Sequence, residues 1–275
     1  DPTCVGRRVE LVWEAIAEDG AARELQREEL VLGAEDTRTH TVNVGDAVGE
    51  AVWRVHATAF PDEVSAADNR AAVAVQVVDR RLRVLLLEGQ PYWDTTFALR
   101  AWRRDRQLAV RSTFRVGTRR YQAGPGSDDA DAPLRDLDTL DVVALGRQVE
   151  ELLAPAEQRR LAEWVGAGGG LLLIGPGRRA DGPLANLDPI RWADGRRDGV
   201  APRMTAGGVR RALLPDDDRT RLLITAGRVH DLRARSEVLI DGEEPVVVAR
   251  PHGAGNVVTV NAEGLWRWRL EARSP

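Results

Sequence analysis

Arg83-Val84-Leu85-Leu86-Leu87-Glu88-Gly89-Gln90-Pro91-Tyr92-Trp93-Asp94 is the stretch on which the fold turns. A strand with one wet face alternates apolar and polar residues, whereas this run is unbroken until Glu88-Gly89. It reads as a parallel strand buried on both faces. Downstream, Phe97, Leu99, Ala101 and Trp102 fit a helix, and Leu108-Ala109-Val110-Arg111 a second strand. Leu140-Asp141-Val142-Val143-Ala144-Leu145-Gly146 is a third. Residues 155–165 form a marked helix, with Pro155 near its start and Leu161, Trp164 and Val165 on one face. Gly166 and Gly168-Gly169-Gly170 stop it before a fourth strand, Leu171-Leu172-Leu173-Ile174-Gly175. Glu237-Val238-Leu239-Ile240, Val246-Val247-Val248-Ala249 and Asn256-Val257-Val258-Thr259-Val260 read as a hairpin and a final strand. Strand, helix, strand in sequence predicts a flavodoxin-like three-layer α/β/α domain over residues 80–275.

Upstream the period changes to two. Val9-Glu10-Leu11-Val12-Trp13, Leu30-Val31-Leu32, Thr39-His40-Thr41-Val42, Val52-Trp53-Arg54-Val55-His56 and Ala72 to Val77 alternate. Turn chemistry separates them at Glu18-Asp19-Gly20, Asn43-Val44-Gly45-Asp46 and Pro61-Asp62. Residues 1–79 are therefore expected as an all-β sandwich, with the boundary near Asp79 to Leu82. The stretch from Ala21 to Glu29 is equally compatible with a helical turn.

The 275 residues carry 39 basic and 43 acidic side chains, a net charge of -4 that argues against a general nucleic-acid binder. Every basic residue is arginine, so a Walker lysine, a Schiff base and a lysine general base are excluded. Cys4 is the single cysteine, which excludes an internal disulfide. No apolar run reaches the roughly 18–20 residues that cross a bilayer, so no direct membrane insertion is expected. The chain starts at Asp1 without Met and is expected to be a piece of a longer protein.

Phe60-Pro61-Asp62-Glu63-Val64, with Asp68-Asn69-Arg70 and the strand after it, resembles the closing half of an Ig-like CARDB-type module. The stretch from Leu85 to Phe97 is similar to the first strand and loop of class I glutamine-amidotransferase-like domains. Those domains belong to large bacterial membrane proteins that often also carry von Willebrand type A domains. Trp164 to Gly175 and Gly264-Leu265-Trp266-Arg267-Trp268 fit the same group. The resemblance implies a cysteine on a glycine-flanked elbow and a late His-Glu pair. The best elbow, Gly175-Pro176-Gly177-Arg178, has no cysteine, Cys4 lies far upstream, and His252 precedes Gly253-Ala254. Without an activated thiolate glutamine is not hydrolysed. The resemblance thus implies a non-catalytic interaction module from the extracytoplasmic part of a membrane-anchored bacterial protein. Its partners would be another protein or neighbouring domains of the parent chain, with no cofactor and no catalytic residue.

The alternative is a hydrolase on the same sheet. Open α/β sheets bind ligands outside the carboxyl ends of their strands. There the chain places Glu88, Gly89, Trp93 and Asp94 after the first strand, Gly146 and Arg147 after the third, and Gly175, Gly177 and Arg178 after the fourth. Glu88 or Asp94 would be the base and Arg178 an anion clamp. The competing structural reading pairs Glu88 with Arg178 and packs Trp93 and Phe97 on the first helix. No HxH, HxxxH or CxxC spacing supports zinc, and Asp128, Asp129 and Asp131 lack the later glycine and glutamate of a calcium loop. No metal is therefore expected. Trp266 and Trp268 could be local core or the seat of a missing element.

Overall fold

The computed structural model describes residues 4–17, 20–33, 49–63, 65–77, 80–117, 119–124, 130–177, 182–211, 213 and 223–271. The chain divides into two compact units, Asp1–Arg80 and Arg81–Pro275.

In the first unit β1 (Arg8–Ile16), β2 (Ala22–Val31), β3 (Gly49–Ala57) and β4 (Arg70–Val77) form one antiparallel sheet in the order β2-β1-β3-β4. The ambiguous Ala21–Glu29 stretch is thus an edge strand. Pairing along its whole length with β1 overrides the helical propensity of its Glu, Gln, Leu and Arg residues. Thr39 to Val42, expected as a strand, lies outside the described residues. Among the described residues of this unit there is a single sheet, so the expected Ig-like, CARDB-type sandwich is corrected. Alternation reports that one face of a strand is covered and the other wet. It does not say that a second sheet does the covering.

The second unit begins with β5 (Leu82–Glu88), α1 (Trp93–Trp102), β6 (Leu108–Val116), β7 (Arg119–Ala123) and β8 (Val142–Leu145). It continues through α2 (Pro155–Gly166), β9 (Gly170–Ile174), α3 (Pro183–Leu187), β10 (Ile190–Val200), β11 (Arg203–Met204) and α4 (Ala206–Arg210). Then come β12 (Ile224–Leu232), β13 (Glu237–Asp241), β14 (Val247–His252), β15 (Gly255–Val260) and α5 (Trp266–Glu271). Nine strands form one mixed sheet in the order β11-β13-β14-β15-β9-β8-β5-β6-β7, and β10 pairs with β12 beside it. The central five, β15-β9-β8-β5-β6, are parallel, and antiparallel strands extend both edges.

The expected flavodoxin-like α/β/α class is corrected here. Helix α1 joins β5 to β6 and α2 joins β8 to β9, but the other connections around the parallel centre are largely strand. Between β6 and β8 the chain makes β7 and a short 3-10 turn, Leu137–Thr139. Between β9 and β15 it makes the β10–β12 pair and the β13–β14 hairpin. Helical layers are therefore incomplete, and the unit is mostly β. The core remains where the unbroken runs predict it. Leu85 and Leu87 of β5, Val143 and Leu145 of β8, Leu171 and Leu173 of β9 and Val257 of β15 meet Leu161 and Val165 of α2. No helix among the described residues is long and apolar enough to cross a membrane.

Candidate functional site

β5 has β6 on one side and β8 on the other, so the chain leaves it in both directions along the sheet. At such a switch point the loops after neighbouring strands part and leave a crevice at the carboxyl edge. An open cleft of about 300 Å³ lies there, lined by Gln90, Gly146, Arg147, Gln148, Gly175, Pro176, Gly177 and Arg196 among others. Its floor is tightly built. The amides of Gly89 and Gln90 donate to the Arg147 carbonyl at 2.8 and 3.3 Å. A β-carbon on Gly89 would lie 1.8 Å from the Gln148 carbonyl oxygen, so only glycine fits. Gln148 has φ 51° and ψ 35°, a left-handed conformation rare for a residue with a side chain.

Glu88 ends β5 and is 4% exposed. Its carboxyl group lies against the bare Cα of Gly146, where a β-carbon would come 2.9 Å from Glu88 Oε1. Burial pushes its pKa up to about 7, against the opposing pull of the Thr95 hydroxyl, the Arg147 charge and the Tyr92 amide. Thr95 Oγ1 donates to Glu88 Oε1 and also reaches the Tyr92 carbonyl oxygen at 2.9 Å, so its one proton is shared between two acceptors.

A second carboxylate shares this network. The Arg147 guanidinium lies 3.3 Å from the Tyr92 ring centroid and 3.0 Å from Glu263 Oε2. Arg196 reaches the same oxygen at 2.6 Å, and the Tyr92 hydroxyl hydrogen-bonds Glu263 as well. Burial alone would raise Glu263, but Tyr92, Arg147 and Arg196 hold it below the ordinary carboxylate range. The Tyr92 hydroxyl is raised, by burial first and then by Glu263. Paired backbone bonds between Glu263 and Thr225, at 2.8 and 3.1 Å, fix this residue beyond the end of β15.

Of the residues singled out in the sequence, Glu88, Gly89, Gly175 and Gly177 stand at this edge. Arg178 lies outside the described residues. Asp94 is 5% exposed, and both its oxygens are committed to backbone amides, Gly264 at 2.8 Å and Trp266 at 2.9 Å. It ties α1 to the chain after β15 and is not placed for proton transfer. Trp93 is 59% exposed and forms a triangle with Phe97 and Trp266, centroids 6.0–6.2 Å apart. Trp266 therefore packs locally, and Trp268 packs against the cluster around Val200 and Ile224. Sequence reasoning missed Thr95, Gln148, Arg196 and Glu263. For Glu263 a signal existed, since it follows a buried parallel strand as Glu88 does. Among the described residues no three His, Cys, Asp or Glu side chains stand together as a metal site would need.

A scan of family models gives no match, and neither does a comparison with curated proteins. Similar solved structures include the exo-β-1,4-mannosidase Op5Man5 from Opitutaceae bacterium strain TAV5, with a TM-score of 0.41 and 16% identity over 70% of this chain and 33% of that one. A β-galactosidase from Bacillus circulans sp. alkalophilus gives 0.35 and 17%, over 70% and 30%. Gan42B, a GH42 β-galactosidase from G. stearothermophilus, in its E323A form gives 0.40 and 12%, over 70% and 29%. The chain thus spans about a third of these enzymes, and likeness at this level transfers neither their fold nor their activity to it. The similar structures are glycoside hydrolases, not glutamine-amidotransferase-like domains, and the resemblance to the latter is corrected on that finding.

Proposed function

We propose that the Arg81–Pro275 unit carries a hydrolase-type site in which Glu88 is the acid and Glu263 the ionised partner. One observation carries this reading: two carboxyl groups that both interact with Tyr92 and Arg147 are shifted in opposite directions, Glu88 up and Glu263 down, beside an open cleft. Environments that drive paired carboxyls apart assign acid and base roles. Glu88 would donate its proton to the leaving-group oxygen, and Glu263 would orient and deprotonate the attacking water. Asp94, the other base considered, has no free oxygen for the task.

The test is turnover of a panel of aryl β-glycosides and aryl esters. Activity should fall about 10²-fold or more in Glu88→Gln and in Glu263→Gln. It should also decline as pH rises through about 7, where Glu88 loses its proton. Turnover indifferent to both substitutions, or none across the panel, would sink the reading. The second reading, a non-catalytic interaction module, would then hold. It is favoured by the network itself, whose acids and arginines already have internal partners. Its partner would be a protein or a neighbouring domain, and its placement extracytoplasmic.

A further inference from the structure

A second pocket, of about 290 Å³, lies within the first unit and is lined by Arg54, His56, Ala57, Ala66, Asn69 and Arg70. The sheet register explains why the basic side chains converge. Arg54 and His56 are two apart on β3 and share a face, while Arg70 on β4 stands directly opposite His56. On β1, Glu14 stands opposite Arg54. Ala66 and Asn69 complete the lining. Glu63 accepts from the Phe60 amide at 3.1 Å and from Asn69 Nδ2 at 2.7 Å, and the Ala57 amide donates to the Asn69 carbonyl at 2.8 Å.

Glu14 Oε2 is 2.7 Å from Arg54 and 3.4 Å from His56 Nδ1. Arg70 has no side-chain hydrogen bond or ion pair among the described residues. Residues 1–80 contain 8 arginines and 16 acids, so this is not for want of carboxylates. Arg7 pairs with Asp62 and Arg27 with Glu10 and Glu24, whereas the exposed Arg8 and Arg23 share with exposed Arg70 the lack of an acidic partner among the described residues. A concave site that gathers two arginines and a histidine, with Arg70 left without an acidic partner, can receive an oxyanion, which guanidinium groups bind in a planar, two-pronged geometry. The volume is at the low end for ligand pockets, suited to a small molecule or one acidic group of a larger one.

We propose that this pocket of the first unit binds a small oxyanion, a carboxylate or a phosphate, between Arg70, Arg54 and His56. The site is independent of the cleft beside Glu88. The experiment is titration of the whole chain with inorganic phosphate and, separately, acetate at fixed pH, followed by NMR of the His56 imidazole and the arginine side chains. Saturable shifts confined to His56, Arg54 and Arg70 are expected. Arg70→Gln should weaken them at least about tenfold, and Arg23→Gln, on the exposed strand β2, should leave them unchanged. Phosphate binding with acetate silent assigns the dianion, and binding of both assigns the carboxylate class. Shifts that do not saturate, that spread over the other surface arginines, or that persist in Arg70→Gln overturn the proposal, as does silence toward both anions.

Discussion

In the second unit, Leu85, Leu87, Val143, Leu145, Leu161, Val165 and Leu173 are fully enclosed and lie in one cluster of sixteen buried apolar residues. Among the described residues of the first unit, the buried apolar side chains are Val9, Val12 and Leu30. What the first unit has instead is ion pairs: Arg7–Asp62, Arg27–Glu10, Arg27–Glu24 and Arg54–Glu14, most of them substantially exposed. Dispersion and hydrophobic transfer act at close range and are insensitive to salt, whereas exposed ion pairs contribute little and are screened. On its described residues the first unit is therefore the softer of the two, and the pocket around Arg54, His56 and Arg70 sits on that softer frame.

The largest test of this contrast is truncation in each core. Leu87→Ala should cost about 3–5 kcal/mol, because the surrounding layers cannot collapse into the hole. Val12→Ala should cost about 1–2 kcal/mol. Hydrogen exchange read unit by unit, with denaturant melts, would show both; equal costs would erase the distinction.

The next concerns Glu88 and pH. Its folded pKa of about 7 lies above the ordinary carboxyl value of 4.5, so the folded chain holds a proton the unfolded chain has released. Its contribution is fully present below about pH 4.5 and is lost as pH rises through about 7. The total is on the order of 3 kcal/mol. Glu88→Gln, which keeps the shape and cannot ionise, should remove that decline and leave the variant more stable than the parent at pH 8. Melting temperatures from about pH 4 to 8 decide it.

Smaller again is the Gln148 turn. Gln148→Gly relieves a left-handed backbone but frees the unfolded chain, for a net gain of about 0.5 kcal/mol. A calorimetric melt that moved downward would mean the amide side chain contributes more than its backbone costs. Smallest is Arg27→Gln on the exposed face of β2, expected to leave the melt unchanged despite its two acidic partners. A clear loss there would show that the first unit depends on its surface charges.

What was legible in the sequence follows burial. Leu82–Glu88, Gly170–Ile174 and Gly255–Val260 were readable as buried strands because both their faces meet apolar layers. Ile190–Val200 was not, since Arg191, Asp194-Gly195-Arg196-Arg197 and Asp198-Gly199 look like loop and gain strand geometry only by pairing with β12. Missing that pair, and the short edge strands β7 and β11 of the mixed sheet, left a three-layer fold as the expectation. In the site, Glu88 was visible because a charge ends an apolar run. Glu263 is separated from its strand by Asn261-Ala262, and the left-handed turn at Gln148 has no signature in an ordinary glutamine. Arg147 was visible after β8, but its stacking on Tyr92 is a tertiary fact.

Asp94 also bears on how the chain reaches this structure. Its bonds to Gly264 and Trp266 span 170 and 172 positions. The strand just before those residues, β15, sits between β9 and β14 near the middle of the sheet. The parallel centre therefore lacks one of its two outer strands, and the link to the β13–β14 hairpin, until residue 260 has been made, and α1 lacks its tether until residue 266. Closing so long a loop costs entropy before any contact offsets it. Topologies of that kind fold slowly, with unpaired strand edges exposed meanwhile. On a ribosome the first sheet can form as it emerges, while the larger unit must wait for nearly its whole length. A chain cut short before Glu263 is expected to be captured by chaperones or to aggregate rather than to leave a smaller folded domain.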